Sequence, residues 1–208
     1  MLDTIQEVEE ALQNGQAGLP DFLRLRIALL APFKRHPLGF LSCTLLSEGS
    51  RRLRLHYWPV GGAFQQSADC QIHDHLFDLN SWVLEGLIEN IEYKTSLTGD
   101  EHALYEASYN GDTSVLKKTK ATLRLEAARR QSFRAGERYS VAAGVLHQTV
   151  RRGDKPATTV LVTDDRSRSA PLVVGPLNGK KRYSYEREPV SEASVEALLA
   201  GSGPPPTL

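Results

Sequence analysis

The chain has 208 residues, 40% of them hydrophobic, and its 25 basic residues balance 25 acidic ones. This length fits one ordinary domain with flanking segments, and the hydrophobic fraction is enough for a core. The balanced charge gives no field that would attract nucleic acid or acidic lipid, and no apolar run approaches the ~20 residues of a membrane helix. We therefore expect a cytoplasmic protein that binds neither nucleic acid nor a membrane.

The N-terminal sequence and the cysteines support this expectation. MLDTIQEVEEALQNG is too polar for a signal peptide. Cys43 and Cys70 form no CxxC pair, so reduced thiols are expected, although a single disulfide between them would also fit. Whether either cysteine has a role stays open.

Two helices are predicted near the N-terminus. Residues 3–14 place Ile5, Val8 and Leu12 at helical spacing, with acidic residues between them. The stretch PDFLRLRIALLAPFKRHP (20–37) opens with Pro-Asp, which is typical of a helix start, and carries two more prolines near its end. Both helices are expected to pack on a larger body.

From Gly39 onward the hydrophobic period changes to two. In LRLHYW (53–58), two leucines and a tyrosine alternate with an arginine, a histidine and a tryptophan, and ATTVLVT (157–163) is rich in β-branched residues. Turn sequences such as PVGG, NGDT and RGDKP separate these runs. Many short strands with turns between them indicate an all-β sandwich or barrel. The chain has no G-x-G-x-x-G or P-loop, which argues against a nucleotide-binding α/β fold.

The C-terminal residues predict one more helix. VSEASVEALLAG (190–201) offers a serine N-cap, an apolar helical stripe and a closing glycine. The last residues, GSGPPPTL, are rich in proline and glycine, so we expect a mobile tail there.

QIHDHLFDLNSWVLEG (71–86) contains a candidate metal site. Residues i and i+2 of a strand project from one face, so His73 and His75 would lie close together while Asp74 points away. A divalent ion needs a third ligand, for which His147 in GERYSVAAGVLH (136–147) is the candidate. Gly144 allows the backbone to bend just before it. On spacing alone, a metal site and ordinary strand histidines are equally good interpretations.

The other candidate ligands are weaker. His36, His56 and His102 lack a comparable setting, and we expect them to be structural or solvent-facing. The odd offset of Cys70 from His73 places its thiol on the opposite face of a strand. We therefore leave these residues out of the metal site.

The two histidine segments resemble the paired motifs of the cupin superfamily. The first motif, H-x-H followed by an acid and a glycine, matches His73, His75 and Gly86. The second, a glycine, five residues and P-x-G-x-x-H, matches Gly136 to His147, with alanine in place of the proline. The resemblance implies metal ligation by the three histidines.

The resemblance also implies a mainly all-β fold, the cupin double-stranded β-helix barrel, with N-terminal helices and a short C-terminal helix. Residues 1–38 would be a helical segment packing on the barrel, residues 39–188 the barrel itself, and residues 189–208 the C-terminal helix and its tail. Cupin barrels often pair through their sheets, so a homodimer is one expected assembly.

Leu79 stands where the first motif has its acidic ligand. The flanking Asp78 and Asn80 should point away in a regular strand, although a β-bulge would turn Asp78 inward to join the metal shell. Three histidines without a carboxylate resemble the thiol dioxygenases, the cysteine dioxygenase branch of the cupins.

That branch has an upstream basic residue that holds the substrate carboxylate. Arg51, Arg52 and Arg54 are candidates here, and the sequence does not choose among them. The branch's tyrosine near the iron, and the cysteine that can crosslink to it, have no match in this chain. The identity of the substrate therefore stays open.

The resemblance implies a non-haem iron dioxygenase that uses Fe(II) and O₂ to oxidise a small molecule such as a thiol. Zn, Ni, Mn and Cu stay open as the metal, because imidazole suits several divalent ions. One alternative is a hydrolase or isomerase that uses Zn-bound water with a pKa of roughly 7. Another is a non-enzymatic cupin that binds a small ligand and reports to a partner.

Four further residues are expected near the substrate pocket: Tyr57, Trp82, Asp78 and Asn80. Tyr57 shares a strand face with Leu53 and Leu55, and we expect this face to point into the barrel. Trp82 would wall the pocket or pack in the core. Asp78 and Asn80 would orient an imidazole N–H group or lie exposed in a turn.

Overall fold

The computed structural model of the chain describes residues 2–15, 33–62, 65–66, 69–166 and 170–191. These residues form an α-helix, α1 (Ile5–Asn14), a 3₁₀ turn (Val60–Gly62) and twelve strands. The strands are β1 (Lys34–Arg35), β2 (Leu41–Glu48), β3 (Arg51–Trp58), β4 (Ile72–His73), β5 (Phe77–Glu85), β6 (Leu87–Asn110), β7 (Thr113–Arg134), β8 (Arg138–Val141), β9 (His147–Arg152), β10 (Ala157–Asp165), β11 (Leu172–Gly175) and β12 (Arg182–Glu186). Most of the predicted second helix, and nearly all of the C-terminal helix and tail, lie outside the described residues.

The helix predicted over residues 3–14 is confirmed as α1. The Thr4 hydroxyl accepts a hydrogen bond from the Glu7 N–H group, and the Glu7 carboxylate accepts one from the Thr4 N–H group, which forms a capping box. Gly15 ends the helix with a φ of 62°. In the part of the chain that the structure describes, no helix is both long enough and apolar enough to cross a membrane.

The strands form two six-stranded antiparallel sheets, as the all-β prediction requires. The first sheet has the order β1-β2-β3-β10-β5-β8, and the second has the order β11-β4-β9-β6-β7-β12. A cavity lined from both sheets lies between them, so the arrangement is cupin-like. β1 falls within the range assigned to the helical segment and pairs with β2.

The largest apolar cluster lies between α1 and the first sheet. Ile5 and Val8 of the helix pack in this cluster with Leu53, Leu55 and Tyr57 of β3. The alternate residues of β3 line the cavity on the other face of the strand. The apolar face of β3 therefore points out towards the helix, and the polar face points into the cavity.

Gly86 marks the corner between β5 and β6. Its φ is +79°, and a Cβ atom at this position would lie 2.3 Å from the Pro156 carbonyl oxygen. Both the backbone conformation and the close approach require glycine. This motif glycine therefore has a structural function, since it allows the chain to pass from one sheet into the other.

Candidate metal centre

His73, His75 and His147 come together at the cavity wall. One ligand nitrogen from each lies within 4.8 Å of the others. β4 and β9 are paired, with His73 opposite His147, and the Gly144 N–H group donates a 2.9 Å hydrogen bond to the His75 carbonyl oxygen. The two sequence segments are thus adjacent in the fold, and their three imidazoles could hold one metal ion.

Two of the rings are oriented by backbone carbonyl groups. Nδ1 of His73 lies 2.9 Å from the Gln71 oxygen, and Nδ1 of His147 lies 3.0 Å from the Val145 oxygen. A carbonyl oxygen can only accept, so both Nδ1 atoms carry the hydrogen and both Nε2 atoms keep a lone pair for a metal. Backbone carbonyl groups therefore orient these two rings, and Asp78 and Asn80 do not.

The His75 ring is held by stacking instead. It lies on Phe77 with ring centroids 4.4 Å apart and an angle of 15° between the planes. Phe77 also contacts the guanidinium group of Arg54, whose carbon lies 5.3 Å from the ring centroid. The third imidazole is therefore positioned by packing, and its ring nitrogens make no hydrogen bond to any residue that the structure describes.

The histidine cluster favours neutral imidazoles. Burial, followed by the proximity of His73, lowers the pKa of His147 to about 3. Burial also lowers the pKa of His73, and burial together with the two neighbouring histidines puts the pKa of His75 well below its usual range. Neutral imidazole is the form that binds a metal, so few protons have to leave when an ion enters.

The cavity beside the cluster has a volume of about 610 Å³, which suits a small molecule. Leu79, at the position of the motif's acidic ligand, is buried and lines this cavity. Asp74 is turned away and accepts a hydrogen bond from the Leu172 N–H group. Among the described residues, no carboxylate joins the three histidines.

The structure places Tyr57 and Trp82 away from this cavity, which corrects the expectation that Tyr57 points into the barrel. Both side chains belong to the apolar cluster beneath α1, on the outer face of the first sheet. Alternation along β3 defines these two faces, but it does not show which of them points into the barrel. The helix covers that face from outside.

Asp78 and Asn80 also lie outside the cavity. Asn80 is exposed and accepts a hydrogen bond of 2.6 Å from the Ser140 hydroxyl. Asp78 accepts hydrogen bonds from the Ala143 N–H group at 2.9 Å and from Arg166 at 2.8 Å, and these contacts lower the pKa of its carboxyl group. Asp78 therefore does not turn inward, but it anchors the loop that leads to His147.

His36 and His56, for which the sequence predicts structural or solvent-facing positions, line the cavity. His36 stacks on Phe40 with centroids 4.2 Å apart, and Phe40 contacts His56 at 4.4 Å. The signal for His56 was present in the alternation of LRLHYW, because this histidine shares a face with Arg54 and Trp58. His36 follows the short strand β1, in a region for which the sequence predicts a helix.

Of the three candidate arginines, only Arg54 lines the cavity. Arg51 forms an ion pair with Glu9 of the helix, and Arg52 donates to the Gly49 carbonyl oxygen at 2.6 Å. The structure thus distinguishes three neighbours that the sequence left equivalent.

No protein-family model matches the sequence, and no curated protein matches it. Among solved structures, the chain is similar to the DMSP lyase DddQ from Ruegeria pomeroyi DSS-3, with 15% identity over 74% of this chain and 66% of that one and a TM-score of 0.41. A chain from the crystal structures of the DMSP lyases RdDddP and RnDddQII has 14% identity over 72% of this chain and 53% of that one, with a TM-score of 0.34. Protein SO0799 from Shewanella oneidensis has 16% identity over 88% of both chains and a TM-score of 0.31. Similarity at these values assigns neither a family nor an activity to this chain.

Proposed function

We propose that this protein is a metal-dependent cupin enzyme that binds Fe(II) through His73, His75 and His147 and oxidises a small molecule, such as a thiol, with O₂. The observation that carries the proposal is the convergence of three neutral imidazoles on one point at a cavity wall. The finer parts of the proposal, iron and oxygen, rest on the donor set and on the motif resemblance.

The donor set fits a divalent ion with open coordination positions. Three imidazole nitrogens without a carboxylate leave the full charge of the ion and room for further ligands. When bound, Fe(II) would supply the redox chemistry with O₂, which protein side chains cannot supply themselves.

The protein's own residues would orient the substrate and exclude water. Phe77, Leu79 and Trp58 give the cavity an apolar wall. Arg54 lies over Phe77 and presents its guanidinium N–H groups to the cavity, where they would bind a carboxylate of the substrate. The substrate would then be held at one end while its reactive atom faces the histidines.

The metal site is tested by replacing His147 with alanine. We expect the variant to lose stoichiometric metal binding while it keeps the fold, because the apolar clusters lie elsewhere. His102→Ala is the matched control, since His102 lies on β6 and does not line the cavity. Metal content is measured after purification without added metal. If His147→Ala binds metal as tightly as the parent, the assigned site is wrong.

The reaction is tested by O₂ consumption of iron-loaded protein with a panel of small thiols. Uptake that depends on both iron and thiol supports the proposal, and absence of uptake with every thiol would rule out the thiol as substrate. If the purified protein contains zinc and takes up no O₂, the hydrolase or isomerase alternative is favoured instead.

A further inference from the structure

Two arginines in the cavity are not needed to build the metal centre. Arg54 comes from β3 in the first sheet, and Arg187 follows β12 of the second sheet. We refer to them as the arginine pair. Both line the cavity of about 610 Å³ that also contains the three histidines.

Arg187 is held at the end of the β6–β7 hairpin. Its backbone N–H group donates to the Asp112 carbonyl oxygen at 2.9 Å, and its Nε atom donates to the Ser114 hydroxyl at 3.0 Å. Its guanidinium carbon lies 5.2 Å from the centroid of the Tyr109 ring. Within the described residues, both Nη groups have no hydrogen-bond partner, so they are available to a ligand.

Arg54 is positioned differently but has the same capacity. Its guanidinium carbon lies 5.3 Å from the centroid of the Phe77 ring. None of the residues in the described ranges accepts a hydrogen bond from it or forms an ion pair with it. Burial lowers the pKa of the Arg54 guanidinium, and the positive charge of Arg187 lowers it further.

The other charges that line the cavity are mostly paired. Lys34 forms an ion pair with Asp112, and Arg35 forms one with Glu188. Among the described lining residues, Asp165 is the one carboxylate without an ion pair, and its negative charge raises the pKa of Arg54 against the larger effects of burial and Arg187. Two half-buried positive charges without full compensation cost free energy, which a bound anion would recover.

We propose that the arginine pair is an anion subsite, and that the substrate is a small molecule with two anionic groups, one for each guanidinium. A guanidinium fork matches the geometry of a carboxylate, and charge-assisted hydrogen bonds of this kind are strong. The two arginines come from different sheets, so each can engage its own group. This proposal rests on the proposed function in taking the cavity as the substrate site and Arg54 as a residue that binds a substrate carboxylate.

The test is isothermal titration calorimetry with dicarboxylates of increasing length. The probes are succinate, glutarate and adipate, with propionate as the single-carboxylate comparison. We expect at least one dicarboxylate to bind the parent protein about tenfold more tightly than propionate, because a hydrogen-bonded ion pair commonly contributes that much. Arg187→Gln and Arg54→Gln should each remove this preference, because either variant keeps one guanidinium group and can then bind one carboxylate of each probe.

Arg182→Gln is the matched control, because Arg182 is exposed on β12 and does not line the cavity. If Arg187→Gln does not fold, Arg187→Lys and Ser114→Ala test the same contact, and each should reduce the dicarboxylate preference in part. The proposal is overturned if no dicarboxylate binds more tightly than propionate, or if the preference survives Arg187→Gln.

Two further measurements distinguish a failure of the anion subsite from a failure of the proposed function. Dicarboxylate binding is also measured on the His147→Ala variant and on chelator-treated protein. Retained binding with no metal-dependent activity would contradict the proposed function and support the anion subsite. Metal-dependent O₂ uptake without any preference for dicarboxylates would support the proposed function and contradict the anion subsite.

Discussion

His56 should make this protein sensitive to acid. The imidazole lies in the cavity wall against Phe40 and Trp58, with ring centroids 4.4 Å and 6.2 Å away. Burial first, and then the positive charges of Arg54 and Arg187, lower its pKa from an ordinary value of 6.5 to about 3. The folded protein therefore keeps this ring neutral down to weakly acidic pH.

The sign and size of the effect follow from proton linkage. As the pH falls below 6.5 the unfolded chain protonates this histidine while the folded protein does not, so the free energy of unfolding decreases between pH 6.5 and 3. One pH unit in this window corresponds to about 1.4 kcal/mol for one group. From pH 7 to pH 5 this one histidine would lower the free energy of unfolding by about 2 kcal/mol if the whole pKa difference applied. His56 is half-buried beside a cavity that water can enter, and water screens the charge. We therefore expect a decrease of about 1–2 kcal/mol in the free energy of unfolding.

The assay is urea unfolding at pH 7 and pH 5, with chelator present so that metal binding does not contribute. His56→Gln removes the titrating group and retains a polar side chain. We expect the variant to lose about 1–2 kcal/mol less stability than the parent between the two pH values. His102→Gln is the control, because it removes a histidine that does not line the cavity. Equal losses in the parent and in His56→Gln would refute the assigned burial of this imidazole.

Two further predictions concern the loop before His147 and the motif glycine. Asp78→Ala removes the acceptor of the Ala143 N–H group and should weaken metal binding about tenfold, whereas Asn80→Ala should not weaken it. Metal affinity is measured by a competition titration with a chelator. Equal affinities in the two variants would contradict the anchoring role of Asp78. Gly86→Ala should destabilise the protein by about 1–3 kcal/mol more than Gly153→Ala, because both glycines have a φ of +79° but only Gly86 meets backbone atoms within 4 Å. Denaturant unfolding measures the stability of both alanine variants. Similar losses of stability would show that the close approach at Gly86 carries no cost.

The three-histidine cluster was predictable because both of its segments resemble cupin motifs. His73 and His75 stand two residues apart on an extended segment, and the resemblance of residues 136–147 to the second motif implied that His147 lies beside them. Hydrophobic periodicity likewise predicted α1 and the change to strands. In both cases neighbouring residues define the pattern, and the fold only has to bring two such segments together.

The cavity wall was less predictable because alternation does not say which face is inside. On β3 the apolar residues lie beneath α1, and Arg54, His56 and Trp58 face the cavity. A helix that packs on the outside of a sheet requires an apolar outer face, so on β3 the more regularly apolar face lies outside the cavity. For this reason the sequence predicts Tyr57 at the pocket, whereas the structure has His56 there.

The sequence by itself determined the mainly β architecture, the three-histidine cluster and the leucine at the position of the usual acidic ligand. Only the tertiary structure decided which of three neighbouring arginines enters the cavity, and that Arg187, more than 100 residues from the first motif, faces the same space. The physical reason is that strand pairing between β7 and β12 carries Arg187 to the cavity, and such pairing depends on long-range contacts that leave no local pattern.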